Sequence, residues 1–270
     1  MALKSSISFL YNFDIGNRWV NEPMRNIVSY PETADGDFDP SNIFTESMRQ
    51  VWRSKDCLTT KEFILKADLK SNMNCFLICG HNLSESAVVK VQANISNNFL
   101  APPVTKVVPY NENIMGVVGE FGGEFQYYRV TILDPGNTDG YIQIGRIVGG
   151  RLLQLVDDED ITDSYSVDYK DQSEKMKTYG FFSQSNENII TRIFSASFQK
   201  LRTDKGANSN YANLRKMFAY IKTTKSLFVI LSVKNPYKMI MMGQIAGDIP
   251  NDNFSVLDYV NINFKVEEVF

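Results

Sequence analysis

Four consecutive carboxylates, Asp157-Asp158-Glu159-Asp160, cut this chain in two. Charges of one sign in a row repel each other and keep their water, so no single core can be threaded through them. Upstream, short aromatic and aliphatic strands alternate with Asn-, Ser- and Gly-containing loops, and no helical stripe interrupts them. Downstream, strands bracket one helix between about Asn210 and Thr223. The pattern predicts two modules, residues 1–155 and residues 161–270, joined by a solvated acidic linker. A chain of 270 residues gives each module enough material to bury a core.

Residues 1–39 read as irregular, punctuated by Pro23 and Pro31 and by the turn Ala34-Asp35-Gly36-Asp37, with Trp19 as an anchor. Period-two patterns then follow. Val89, Val91 and Ala93 share one face of a strand, as do Tyr128, Val130 and Ile132, and Tyr141 to Ile147 reads as one further strand. Cys75-Phe76-Leu77-Ile78-Cys79 is apolar throughout, the mark of a strand covered on both sides. Strands at this spacing without helices predict a β-sandwich.

In the second module Phe194, Ala196 and Phe198 point one way along a long strand, and Lys170 to Lys177 reads as a loop. Gly206 to Asn210 supplies helix-capping side chains. Leu214, Met217, Phe218 and Ile221 then recur at helical spacing. A central strand over Leu227–Val233, a Met-rich strand from Lys238 to Ile245 interrupted at Gly243, and an alternating strand from Val260 to Glu267 complete a β-rich module carrying one packed helix. The Met-rich strand places Met239, Met241 and Met242 on both faces, and its outward methionines are the candidates for a subunit interface.

Composition narrows the function classes. A net charge of -3 without a dense Lys/Arg cluster gives no footprint for nucleic acid. No apolar run approaches the roughly 20 residues of a membrane helix, and the N-terminal stretch is too polar for a signal-peptide core, so synthesis in the cytoplasm and no membrane insertion are expected. Three cysteines, Cys57, Cys75 and Cys79, cannot close a disulfide framework. His81 is the lone histidine, so any Ser-His-Asp or Cys-His arrangement must use it. Its place beside a buried strand suits a loop-stabilising role, so no catalytic residue, no cofactor and no enzymatic activity are expected. Asp134, Asn137 and Asp139 superficially suggest a calcium loop, but Pro135 and Gly136 break the ligand alternation and Gly145 stands where the twelfth-position glutamate belongs. A tight turn is the favoured reading there.

Taken in order, Trp52-Arg53-Ser54, Asp68-Leu69, Gly80-His81-Asn82-Leu83, Val89-Lys90-Val91-Gln92-Ala93, Tyr128-Arg129-Val130-Thr131-Ile132 and Ile142-Gln143-Ile144-Gly145-Arg146-Ile147 resemble a discoidin, or coagulation-factor C-type, domain. The resemblance covers roughly Ile43 to Leu153 and implies a galactose-binding-like jelly-roll sandwich. Its Gly-His-Asn-Leu form, followed by Ser-x-Ser-Ala, is similar to versions in bacteriophage structural proteins. The element order of residues 161–270 resembles the tail-tube-like fold of bacteriophage tail proteins, whose copies form rings by continuing sheets between subunits.

The fold class expected is therefore mainly β: a discoidin-like jelly-roll followed by a tail-tube-like β-rich module. The resemblances imply a non-enzymatic virion component that forms a symmetric homo-oligomeric ring with other virion proteins. The alternative is a carbohydrate-binding protein whose second module is only structural. Jelly-roll loops present aromatic faces and amides to sugars. Tyr110, Asn111, Asn113 and Tyr127 are the candidates for contact with a host glycan.

Overall fold

The computed structural model describes residues 7–11, 27–45, 49–119, 121–154, 162–171, 174–177, 183–186, 190–203, 209–231, 240–250, 252–256 and 258–269. Trp19, the acidic run Asp157 to Asp160 and Met239 lie outside these residues. The chain is mainly β. Among the described residues, twelve strands precede the acidic run: β1 (Ser8–Leu10), β2 (Ile27–Ser29), β3 (Trp52–Arg53), β4 (Lys61–Ser71), β5 (Cys75–Cys79), β6 (Val88–Asn94), β7 (Val104–Val108), β8 (Ile114–Val118), β9 (Phe125–Leu133), β10 (Gln143–Ile144), β11 (Arg146–Gly150) and β12 (Leu153–Gln154). After it come β13 (Thr162–Asp171), β14 (Glu174–Lys177), β15 (Ser183–Asn186), β16 (Ile190–Arg202), helix α1 (Asn210–Ile221), β17 (Leu227–Ile230), β18 (Ile240–Ile245), β19 (Asn253–Val256) and β20 (Tyr259–Glu268). Two compact units result, one drawn from Ser6–Leu153 with Ile230–Ile240 and one mainly from Gln154–Val229 and Met241–Val269.

The first unit is a sandwich. A five-stranded antiparallel sheet, ordered β2-β4-β9-β6-β7, supplies Phe63, Leu65, Ala67, Val89, Val91, Ala93, Tyr128, Val130 and Ile132 to one core. A three-stranded antiparallel sheet, ordered β11-β5-β8, supplies Phe76, Ile78, Met115 and Ile147 to the same core. The alternation read in the sequence is the alternation of burial: within β6, Val89, Val91 and Ala93 are buried while Val88 and Lys90 are exposed. Trp52 lies at the centre, edge-on to Phe63 with ring centroids 4.7 Å apart, and its indole N–H donates to Thr33 Oγ1 at 3.1 Å, so the large apolar group is buried without an orphaned donor. Cys75, Leu77 and Cys79 alternate to the other side of β5 and are also buried, and burial pushes both thiols above their ordinary range.

Two expectations for this unit are corrected. The N-terminal stretch is not wholly irregular: Ser8–Leu10 and Ile27–Ser29 are strands, and β2 covers the edge of β4. Three-residue strands are too short to display period-two patterning. Tyr141 to Ile147 is not one strand, because Gly145 switches the chain between sheets. β10 pairs β3 while β11 pairs β5, and the Gly145 N–H reaches the carbonyls of Cys79 and Gly80 at 3.1 and 3.0 Å.

In the second unit the sheet runs β17-β18-β20-β16-β13, with β19 also paired to β20. Ser209 caps α1, its Oγ accepting the Ala212 N–H at 3.1 Å, and Leu214, Met217, Phe218 and Ile221 form the buried stripe expected. Phe218 packs edge-on to Phe264 of β20 at 5.1 Å, and Phe264 stacks on Phe198 of β16 at 6.0 Å, which fixes the helix against the sheet. Gly243 does not interrupt the Met-rich strand: a Cβ there would lie 2.5 Å from Glu267 O, so the glycine is what lets β18 approach β20. The described part of the stretch Lys170 to Lys177 is strand, since β13 extends to Asp171 and β14 (Glu174–Lys177) pairs antiparallel with β15. Met241 and Met242 are 5% and 2% exposed. A central strand with both faces covered has no outward side, so these methionines do not project as an interface.

Candidate functional site

Loops at one end of the sandwich converge on Arg53. Alternation along β3 sends Trp52 into the core and Arg53 outward, and alternation around buried Ile142 sends Tyr141 and Gln143 the same way. The guanidinium lies over two rings, with its carbon 4.1 Å from the Phe38 centroid and 4.2 Å from the Tyr141 centroid. Its Nη2 donates to Gln143 Oε1 at 2.8 Å. The buried Nε–H has no hydrogen-bond partner. No carboxylate pairs with Arg53 among the described residues, whereas Arg129, Arg192 and Arg215 reach Glu62, Glu268 and Asp252 respectively.

Both rings are held by local chemistry. Asp39 Oδ1 accepts the Ser41 N–H at 2.7 Å and starts the 3-10 turn Pro40–Phe44, whose Ile43 and Phe44 are anchored in the core. The Asn42 amide donates to both Asp37 O and Val51 O at 3.0 Å, tying the Phe38 loop to the approach of β3. On the other side, the Ser54 N–H reaches Ile142 O at 2.8 Å, while Ser54 Oγ accepts the Ile142 N–H at 2.8 Å. Asn82 closes the arrangement. Its Nδ2 donates to Tyr141 O and to Asp139 Oδ2, at 3.0 and 2.8 Å, and its Oδ1 accepts the Gln143 N–H at 2.7 Å.

Beneath this surface lies a satisfied polar knot. Asp134 is fully buried and accepts from the Ser84 N–H at 2.8 Å, from Ser84 Oγ, and from Asn137 Nδ2 at 3.2 Å. Asn137 Nδ2 also reaches Asn82 O, while Asp139 sits outside with its Oδ2 on Asn82. The Asp134 oxygens accept from donors of the same loops, the arrangement of a turn-locking carboxylate. His81 completes the knot, with Nδ1 accepting the Leu83 N–H at 3.2 Å and Nε2 donating to Asn111 O at 3.0 Å. Burial outweighs these contacts and pushes the imidazole down to about 4, so at neutral pH it is an uncharged loop strut.

The four residues expected to contact a glycan do not meet. Tyr110, Asn111 and Asn113 follow Val108, which pairs with Val89; Tyr127 pairs with Asn94 at the other end of β6, roughly 17 Å away along the strand. Tyr127 instead lies near Lys66, whose Nζ is 5.7 Å from the ring. Asn111 Oδ1 accepts the N–H groups of Asn113 and Ile114, making it a turn former, and Tyr110 packs edge-on to His81 at 6.3 Å. Only this first group borders the Arg53 end. Phe38, Arg53, Asn82, Tyr141 and Gln143 were not expected. Their signals were an aromatic between two aspartates in a turn and a charged residue alternating with a core tryptophan.

No family model matches the chain, and no curated protein matches it. Solved structures do. One is a carbohydrate-binding module, CBM32-3, from a family 31 glycoside hydrolase of Clostridium perfringens, 15% identical over 47% of this chain and 90% of that one, with a TM-score of 0.38. Another is chitosan-binding module 1 from a chitosanase/glucanase of Paenibacillus sp. IK-5, 14% identical over 46% and 92%, with a TM-score of 0.36. A third is the N-terminal domain of the single-strand break repair protein XRCC1, 13% identical over 47% and 96%, with a TM-score of 0.37. Likeness at this level says nothing of a shared ligand.

Proposed function

We propose that the N-terminal sandwich is a glycan-binding module and that Phe38, Arg53, Asn82, Tyr141 and Gln143 form its recognition surface. The observation that carries this reading is the Arg53 guanidinium over two half-buried rings at 4.1 and 4.2 Å, beside an amide network. Sugars present apolar ring faces and fans of hydroxyls, which aromatic faces and planar amide or guanidinium donors complement. Because the loops that carry the rings are already hydrogen-bonded into place, ligand binding orders little and retains more of its gross interaction energy. Screening the full-length protein on a broad glycan array tests this. Retention on a defined glycan class, weakened about tenfold or more by Tyr141→Ala, supports it. Absence of binding across neutral and acidic glycans rejects it.

We propose as a second reading the assembly of copies into a ring, expected from the sequence, on one feature of the other unit. Strand β13 ends the sheet, pairs only with β16 among the described residues, and is 10 residues long. Long edges template pairing with another chain, and closure into a ring would cover them. Mass photometry distinguishes the two: discrete large rings support assembly, and a monomer that binds glycan supports the first reading alone.

A further inference from the structure

We infer that the glycan taken at the Arg53 end carries a carboxylate, as uronic and sialic-type sugars do, and that Arg53 is its counter-ion; this rests on the glycan-binding reading and deepens it. Arg53 is a half-buried charge without an acid among the described residues, held by ring faces and a neutral amide. A neutral sugar laid over it would strip its remaining water and supply no opposite charge, a desolvation that goes uncompensated. A carboxylate supplies the charge and also matches the planar fork of N–H donors two at a time. Among the described residues one of those donors is engaged, by Gln143 Oε1, and the Nε–H is buried, which leaves the terminal nitrogens for a ligand.

The surrounding acids do not already fill the role. Asp37, Asp39 and Asp139 are exposed, and the latter two accept hydrogen bonds from Ser41 N–H and Asn82 Nδ2. Glu32, farther along the same loop, is paired with Lys55. With both rings against the guanidinium, Gln143 on Nη2 and the Nε–H buried, an incoming carboxylate meets the terminal nitrogens.

Isothermal titration of the full chain with an oligouronate, its carboxyl-reduced neutral counterpart and a sulfated, uncarboxylated oligosaccharide of matched length tests the assignment. The expected result is binding of the oligouronate at least about tenfold tighter than of the other two, weakening as salt rises. Arg53→Gln should remove that preference with an unchanged thermal midpoint, and the ligand series on the unmodified protein stands even where the variant fails to fold. Equal affinity for the neutral counterpart, or preference for the sulfated sugar, overturns the carboxylate assignment and leaves glycan binding intact. Failure to bind any of these or any glycan on a broad array overturns both.

Discussion

Arg53 in the N-terminal sandwich and Arg192 in the C-terminal unit are both partly buried, yet they are satisfied in opposite ways. Arg192 is clasped by Glu268, with Nε 2.9 Å from both carboxylate oxygens, Nη2 on Oε1, and the Arg192 backbone N–H on Oε2 at 3.1 Å. That hydrogen bonding with Glu268, ahead of its charge, raises the guanidinium above its ordinary range despite burial. Arg53 has two rings, one amide and an orphaned Nε–H. A charge whose partner is built into the fold holds strands together. A charge with no carboxylate partner among the described residues can still take one from a ligand.

The comparison breaks most visibly at Glu268. Its side chain is 5% exposed, and Glu268→Ala leaves Arg192 without its clasp beside β20, so chemical denaturation should show a loss of about 3 kcal/mol. A loss below about 0.5 kcal/mol would mean that the clasp contributes nothing. Next in size is the pH response of the sandwich. With His81 lowered from 6.5 to about 4, the unfolded chain binds the proton more readily than the folded one. The stabilisation is complete above pH 6.5 and is lost as pH falls from 6.5 through 4, to a total of roughly 3 kcal/mol. The slope of stability against pH in that window should become shallower by nearly one proton in His81→Gln.

Much of this contrast was legible in the sequence, and part was not. The alternation of Val89, Val91 and Ala93 and the spacing of Leu214, Met217, Phe218 and Ile221 specify buried faces because burial acts locally on every second or every third and fourth residue. Gly145 and Gly243 were misread, since whether a glycine ends a strand or admits a neighbouring one depends on a chain distant in sequence. The candidate site was largely illegible for the same reason. Phe38, Arg53 and Tyr141 are joined by contacts between segments distant in sequence: the pairing of β3 with β10, the Ser54–Ile142 hydrogen bonds and the Asn42 and Asn82 clamps. Tyr127 was drawn in by proximity in sequence, although β9 runs from it the whole length of the sheet to the opposite end.

Smaller effects sharpen the comparison. Removing a ring by Phe38→Ala should weaken glycan binding by about 1 kcal/mol, in the range of a single aromatic or cation–π contact, while the thermal midpoint changes little. Arg53→Gln should alter stability by less than about 1 kcal/mol, because it removes an orphaned donor along with the ring contacts. If denaturation instead shows Arg53→Gln as costly as Glu268→Ala, Arg53 is a structural charge and the two units do not differ in the way described.

The central claim is that one end of the sandwich is built to receive a ligand. Amide chemical shifts of the isotope-labelled full chain, followed while the tightest array glycan is titrated in, test it most directly. The account predicts saturable shifts at Phe38, Arg53, Asn82, Tyr141 and Gln143, with Ile95 to Leu100 at the opposite end unmoved. Shifts confined to Ile95–Leu100 and Tyr127, with Arg53 and Tyr141 silent, would contradict it.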